Sequence, residues 1–207
     1  MAITKKEYAA FQKAYDYFNH ALFSGKLPAC LITLTHSKKY GGFFHRERFT
    51  NRKDESKTDE LSLNIDCFHH MADREILAIL VHEMVHLWQF HYGKPSRNGY
   101  HNKEWADKME AIGLMPSDTA QPGGNRTGQS INHYIIEEGR YDRLTENLIN
   151  QGLKINWQAI MADREKKSKS KVKYSCPVCN QNAWAKPGAD LVCGVCMEVM
   201  ESEDGTY

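Results

Sequence analysis

Residues 77–90 read LAILVHEMVHLWQF, and this stretch decides the fold. With Asp73 ahead of it as N-cap and Gly93 and Pro95 behind it, the pattern predicts a helix over residues 73–91. Apolar side chains from Ile76 to Phe90 surround most of that helix, so it belongs in the middle of a core rather than on a surface. Against this background stand His82, Glu83 and His86, spelling H-E-x-x-H. Positions i and i+4 share a helix face, so both imidazoles can reach one metal ion. Glu83 is one residue from the first ligand, where a general base would take the proton of a water acidified by zinc. Burying two histidines and a carboxylate without such compensation is unfavourable, which argues against ordinary core histidines.

A catalytic zinc takes three protein ligands and keeps an open position. Downstream of the helix the candidates are His91, Glu104 and His101. His91 is five residues past His86 and rotated off the ligand face. Spacing alone leaves Glu104 and His101 open. The longer pattern H-E-x-x-H-x-x-G-x-x-H is absent, because position 89 is Gln and position 92 is Tyr.

Working outward, residues 5–23 carry Tyr8, Phe11, Tyr15, Phe18, Leu22 and Phe23 near a 3.6-residue period and predict a helix stopped by Gly25 and Pro28. Three strands are expected over 31–35, 42–49 and 61–66, the last (LSLNID) alternating like a strand with one buried face. A further helix is expected over 103–112. From residue 117 the composition turns to Gly, Pro, Ser, Thr and Asn and reads as a linker, with weaker helical patterns over 143–150 and 157–164. The run REKKSKSKVK over 164–173 is basic and low in complexity. Arg164, Lys166, Lys167, Lys169, Lys171 and Lys173 are its cations, and they suit either phosphate contacts or a solvated linker.

Cys176-Pro-Val-Cys179 and Cys193-Gly-Val-Cys196 are two C-x-x-C turns thirteen residues apart. Together they predict a closed, tetrahedral four-cysteine zinc site, structural because no position is left for water. Trp184, between the turns, either fills the small core or stacks on a base. Cys30 and Cys67 read as apolar thiols, and His69 and His70 as exposed residues at a strand end. The net charge of +1 over 207 residues does not mark the chain as a nucleic-acid binder. The first residues lack the apolar run of a secretory signal, and no stretch is apolar enough to span a membrane. Paired thiols without a signal point to a reducing, cytoplasmic setting.

The ordered set of FNHALFSGKLP (residues 18–28), YGGFF (40–44), LSLNIDCF (61–68), LAILVHEMVHLWQF (77–90) and YHNKEWADKM (100–109) resembles the SprT-like zinc metalloprotease family, to which the eukaryotic Spartan proteases belong. The resemblance covers roughly the first 115 residues. It implies an α+β, zincin-like metalloprotease domain with a small C-terminal zinc ribbon. It also implies His101 as third ligand, standing just before Glu104-Trp105, with Glu104 as a supporting or capping residue. A glycine commonly follows that histidine in the family, and here it is Asn102. A shallow cleft in which an extended peptide pairs with an edge strand is implied as well, and LSLNID is the candidate edge.

The expected organisation is a protease domain over 1–116, a linker with helices and a basic run over 117–173, and a four-cysteine ribbon over 174–200. The expected activity is zinc-dependent hydrolysis of peptide bonds in proteins, DNA-associated ones included. One catalytic and one structural zinc serve as cofactors, with DNA as a candidate partner and no membrane. Tyr40, Tyr92 and Tyr100 are candidates for stabilising an oxyanion. The alternative is a nucleic-acid-associated regulatory zinc protein that keeps the fold and cleaves little.

Overall fold

The computed structural model describes residues 2–37, 40–160 and 170–203, which fall into two compact units, Met1–Met161 and Ala162–Tyr207. The first unit opens with helix α1 (Ile3–Phe23). Strands β1 (Leu31–Thr35), β2 (Gly42–Thr50) and β3 (Lys57–Asn64) follow, and a 3-10 turn over Ile65–His70 leads into helix α2 (Asp73–Tyr92). After α2 come β4 (Tyr100–His101), helix α3 (Lys103–Ile112), β5 (Leu114–Ser117), β6 (Gly128–Gln129), β7 (Asn132–Ile135) and helix α4 (Arg140–Asn150). The result is a mixed α/β unit.

α2 is central. Leu77, Leu80, Val81, Met84, Val85 and Leu87 are buried along it, packed with Phe11 and Phe18 of α1, Leu61 and Leu63 of β3, and Trp105 and Met109 of α3. Each such side chain contributes roughly 1.5–3 kcal/mol on burial, so the core is ample to hold polar residues in its midst. The helix begins one residue earlier than its side chains suggested: Ala72 is the N-cap, and its amide donates to Glu75 Oε2 at 2.7 Å.

β3 lies between its neighbours, parallel to β1 and antiparallel to β2. LSLNID is therefore not the edge. Its alternation reported a buried face, and the second face is covered too: Ser62 and Asn64 are as buried as Leu61 and Leu63. The exposed edges of the sheet belong to β1 and β2. In β2 the register slips between His45 and Phe49, where Glu47 adopts φ 46°, and the irregularity interrupts the ladder before pairing resumes at Phe49–Thr58.

The first unit continues beyond residue 116. β7 pairs with β5, β6 pairs with β4, and α4 seats fully buried Tyr141 against Phe18 with ring centroids 5.6 Å apart. Gly113 permits this docking. It ends α3 at φ 100°, and a Cβ there would stand 2.7 Å from the Tyr141 amide. Residues 157–160 form no helix, and the rest of the 157–164 expectation lies outside the described residues.

The second unit contains β8 (Val172–Ser175), β9 (Asn182–Ala185) and β10 (Glu201–Ser202), paired in the order β10-β8-β9. Val172, Tyr174, Cys176, Cys193 and Met200 form its core. Among the described residues, no helix is long and apolar enough to cross a membrane.

Candidate metal centres

His82 and His86 project from one face of α2, as the i, i+4 spacing requires. His101 comes from β4, immediately before α3. Its delivery depends on Asn102, whose side chain caps α3 by accepting from the Trp105 amide at 3.1 Å and from Gln89 Nε2 at 2.7 Å. Asn102 Nδ2 donates in turn to the Lys94 carbonyl at 2.9 Å. The residue that departs from the family's usual glycine thus ties the end of α2 to the start of α3.

The ring nitrogens of His82, His86 and His101 lie within 4.8 Å of one another, and Nε2 of His86 is 3.1 Å from Nε2 of His101. Trp105 forms the floor of the group, stacked on His86 at 22° and edge-on to His82 and His101. Burial pushes His82 well below its ordinary pKa, with the neighbouring histidines adding to the effect. Burial, then the nearness of His101, takes His86 down to about 3. His101 is lowered by burial as well, partly offset by its contact with the Gly128 carbonyl. These neutral imidazoles, with nitrogens facing one another and withdrawn from water, fit a divalent cation. Zn–N bonds of about 2.0–2.1 Å in a tetrahedron put nitrogens about 3.3 Å apart, close to the observed pair.

Glu83 is 4% exposed, and burial raises its carboxyl to about 8. It faces β2: a Cβ on Gly42 would stand 3.0 Å from Glu83 Oε1 and 2.8 Å from the Ser62 carbonyl oxygen. Position 42 therefore requires glycine for close approach.

Other candidates have different partners. Glu104 Oε2 accepts from Gln89 Nε2 at 2.8 Å and from the Lys94 amide at 2.7 Å, so it braces the loop after α2. His91 pairs with Asp59 at 2.7 Å. The Tyr92 hydroxyl donates to the Lys26 carbonyl, Tyr100 lies under Arg97, and Tyr40 is exposed. Cys30 and Cys67 are half-buried, and burial pushes the Cys30 thiol up to about 12. His69 is half-buried and His70 exposed.

Sequence reasoning missed His133. It lies on β7, and its Nδ1 is 3.1 Å from Nδ1 of His82. Burial lowers it to about 4. Its only signal in the sequence was a lone histidine within the short run INHYII.

In the second unit the four thiols of Cys176, Cys179, Cys193 and Cys196 also lie within 4.8 Å of one another. The two turns share one geometry. The Asn180 amide donates to the Cys176 carbonyl at 2.9 Å, the Met197 amide to the Cys193 carbonyl at 2.8 Å, and Asn180 and Met197 have φ of 58° and 59°. Backbone amides of Cys196 and Val195 lower the Cys193 thiol to about 7, as suits a thiolate ligand. Tyr174 fills the ribbon core, donating its hydroxyl to the Lys186 carbonyl at 2.9 Å. Trp184 is 62% exposed, with Lys173 opposite it on β8. Lys173 pairs with Glu203 at 2.9 Å, and Lys171 is exposed. Arg164, Lys166, Lys167 and Lys169 lie outside the described residues.

A family model described as the SprT-like family matches residues 11–126, more than half of the 207-residue chain. The chain belongs to this family, which is associated with zinc metallopeptidase-like proteins. A stretch of 58 residues is 43% identical to a Salmonella typhimurium protein described as an uncharacterized protein in the mucB 3' region, covering 28% of this chain and 78% of that one.

Proposed function

We propose that this chain is a zinc-dependent metalloendopeptidase with a zincin-like fold, acting on extended or loosely folded protein segments. The observation that carries the reading is the convergence of His82, His86 and His101 beside the buried carboxyl of Glu83. His82, His86 and His101 would hold a zinc ion, which would supply Lewis acidity toward a water and a peptide carbonyl. Glu83 takes the proton of the attacking water and returns it to the leaving amine. Trp105 and the surrounding apolar side chains keep bulk water from the group. An extended substrate is expected along the outer edge of β2 at residues 42–45, where Gly42 brings the backbone close to Glu83 and the slip beyond His45 limits the pairing.

In this reading residues 1–116 hold the catalytic machinery, with the following strands and α4 completing its frame. Residues 174–200 form a ribbon closed by a second, structural zinc on the four cysteines. Exposed Trp184 beside Lys173, together with exposed Lys171, supports single-stranded DNA as a partner, with Lys166, Lys167 and Lys169 as further candidate cations of the sequence. DNA-associated proteins are then natural substrates, and the paired thiols suit a reducing cytoplasm.

The test is cleavage of a loosely folded protein by the wild type and by Glu83→Gln, with and without single-stranded DNA. Cleavage by the wild type alone is expected. If both are inert under every zinc and DNA condition, the exposed Trp184 and the basic residues instead favour a regulatory, nucleic-acid-associated protein.

A further inference from the structure

The proposed ligand set leaves His133 without a task. Nδ1 of His133 sits 3.1 Å from Nδ1 of His82, with ring centroids 5.2 Å apart and the planes at 43°. We infer that His133 is a positioning residue for the first metal ligand: it accepts a hydrogen bond from Nδ1–H of His82 and so fixes the tautomer that presents Nε2 to the ion. The inference rests on the zinc reading of the triad.

Three observations converge. First, a ligating imidazole whose second nitrogen is held keeps its orientation and becomes a stronger donor. His101 is held in this way, with Nδ1 3.3 Å from the Gly128 carbonyl. His133 does for His82 what Gly128 does for His101, and both partners come from one short segment over 128–133. That segment lies past residue 126, where the family match ends.

Second, His133 is placed by backbone structure. It pairs with Pro116 in the β5–β7 ladder, and Ile131 is buried in the core two residues before it. His133 is therefore not a loop side chain that meets His82 by rotation of a free segment.

Third, burial favours an uncharged acceptor. Glu83 is already a buried carboxyl beside His82 in the chain. A second buried carboxylate would add a further desolvation penalty, whereas a neutral imidazole offers a lone pair without charge.

The experiment measures zinc affinity of the full chain by competition with a chromophoric chelator, the zinc on the four cysteines serving as the internal control. His133→Leu removes the acceptor while keeping much of the volume. His133→Asn keeps a polar atom near the position of Nδ1, and His133→Gln moves it outward. His133→Leu and His133→Gln are expected to hold zinc at the histidine site about 10–100-fold more weakly than wild type, and His133→Asn within a few-fold of it. Wild-type affinity in His133→Leu, or equal affinities in the Asn and Gln variants, would overturn the inference. If His133→Leu fails to fold, the Asn–Gln comparison decides. A wild-type chain that retains only the cysteine-bound zinc would sink the triad reading itself, and this inference with it.

Discussion

The two candidate metal centres stand in opposite relation to the cores around them. The histidine group is a polar inclusion in an extensive apolar core, in which α2 packs with residues of α1, β3, α3 and α4. Among the described residues of the ribbon the core is five residues, and two of them, Cys176 and Cys193, are themselves proposed ligands. The difference separates a metal that a fold carries from a metal that makes a fold. On the proposed reading, it also explains how a zinc on the three histidines could keep a coordination position open. Its ligands are held by packing and capping, so the ion need not be enclosed.

The largest effect that would break this contrast is expected in the ribbon. Cys176→Ser or Cys193→Ser should abolish the fold of residues 172–203, because structural zinc contributes on the order of 10–16 kcal/mol to such units. Hydrogen exchange should show those amides unprotected while α1 and α2 stay protected. Equal loss in both units would erase the distinction.

Next comes Glu83→Gln, for which peptide hydrolysis should fall about 10²–10⁴-fold with zinc content unchanged. Turnover and metal analysis on one preparation check both halves. A parallel loss of zinc would mean that Glu83 serves the ligands rather than the reaction.

The third concerns pH in the metal-free chain. Glu83 has a folded value raised to about 8 from 4.5, so the folded state keeps a proton that the unfolded state releases. Stability should therefore fall as pH rises from about 4.5 to about 8, by a few kcal/mol at most, and Glu83→Gln should remove that slope. His86 and His133 have the opposite sense, lowered to about 3 and about 4 from 6.5. Their contribution is present above pH 6.5 and is lost as pH falls toward 4. Melting temperature against pH, with chelator, reads both slopes. Zinc should suppress them in the first unit.

The smallest concerns the link that delivers His101. Asn102→Ala removes the cap of α3 and should lower stability by about 0.5–2 kcal/mol while leaving the ribbon unaffected. A larger drop in zinc affinity than in stability would show that the cap serves the ligand more than the helix.

Much of the site was legible because its signals are local. H-E-x-x-H on an apolar helix and two C-x-x-C turns each sit within a few residues, whereas spacing left His101 and Glu104 open and only the family resemblance pointed to His101. Helix α3 was expected over the same residues it occupies, with Gly113 and Pro116 closing it, while the cap that Asn102 supplies at its start went unread. What escaped was pairing. The alternation in LSLNID tells which side chains share a face and says nothing of how many neighbours the strand has. The segment after residue 116 read as a linker because Gly, Pro, Ser and Thr dominate it. Yet Ser117 and Asp118 accept hydrogen bonds from the Gln121 and Asn125 amides and shape that composition into an ordered loop. His133 was invisible for the same reason: its partner is 51 residues away and is reached only through the β5–β7 ladder.

That ladder has a consequence for how the protein comes into being. The amide of Asn156 donates to Glu7 Oε1 and the amide of Ala159 to the Ile65 carbonyl, so the last stretch of the first unit closes onto its earliest elements. A ribosome delivers His82 and His86 long before His133 and α4. Contacts of such long sequence separation form late and slowly. A nascent chain therefore carries its ligand helix without the frame that orients it, and the centre is completed only as synthesis nears the ribbon. The site is therefore unfinished while the chain's own unfolded segments are still at hand.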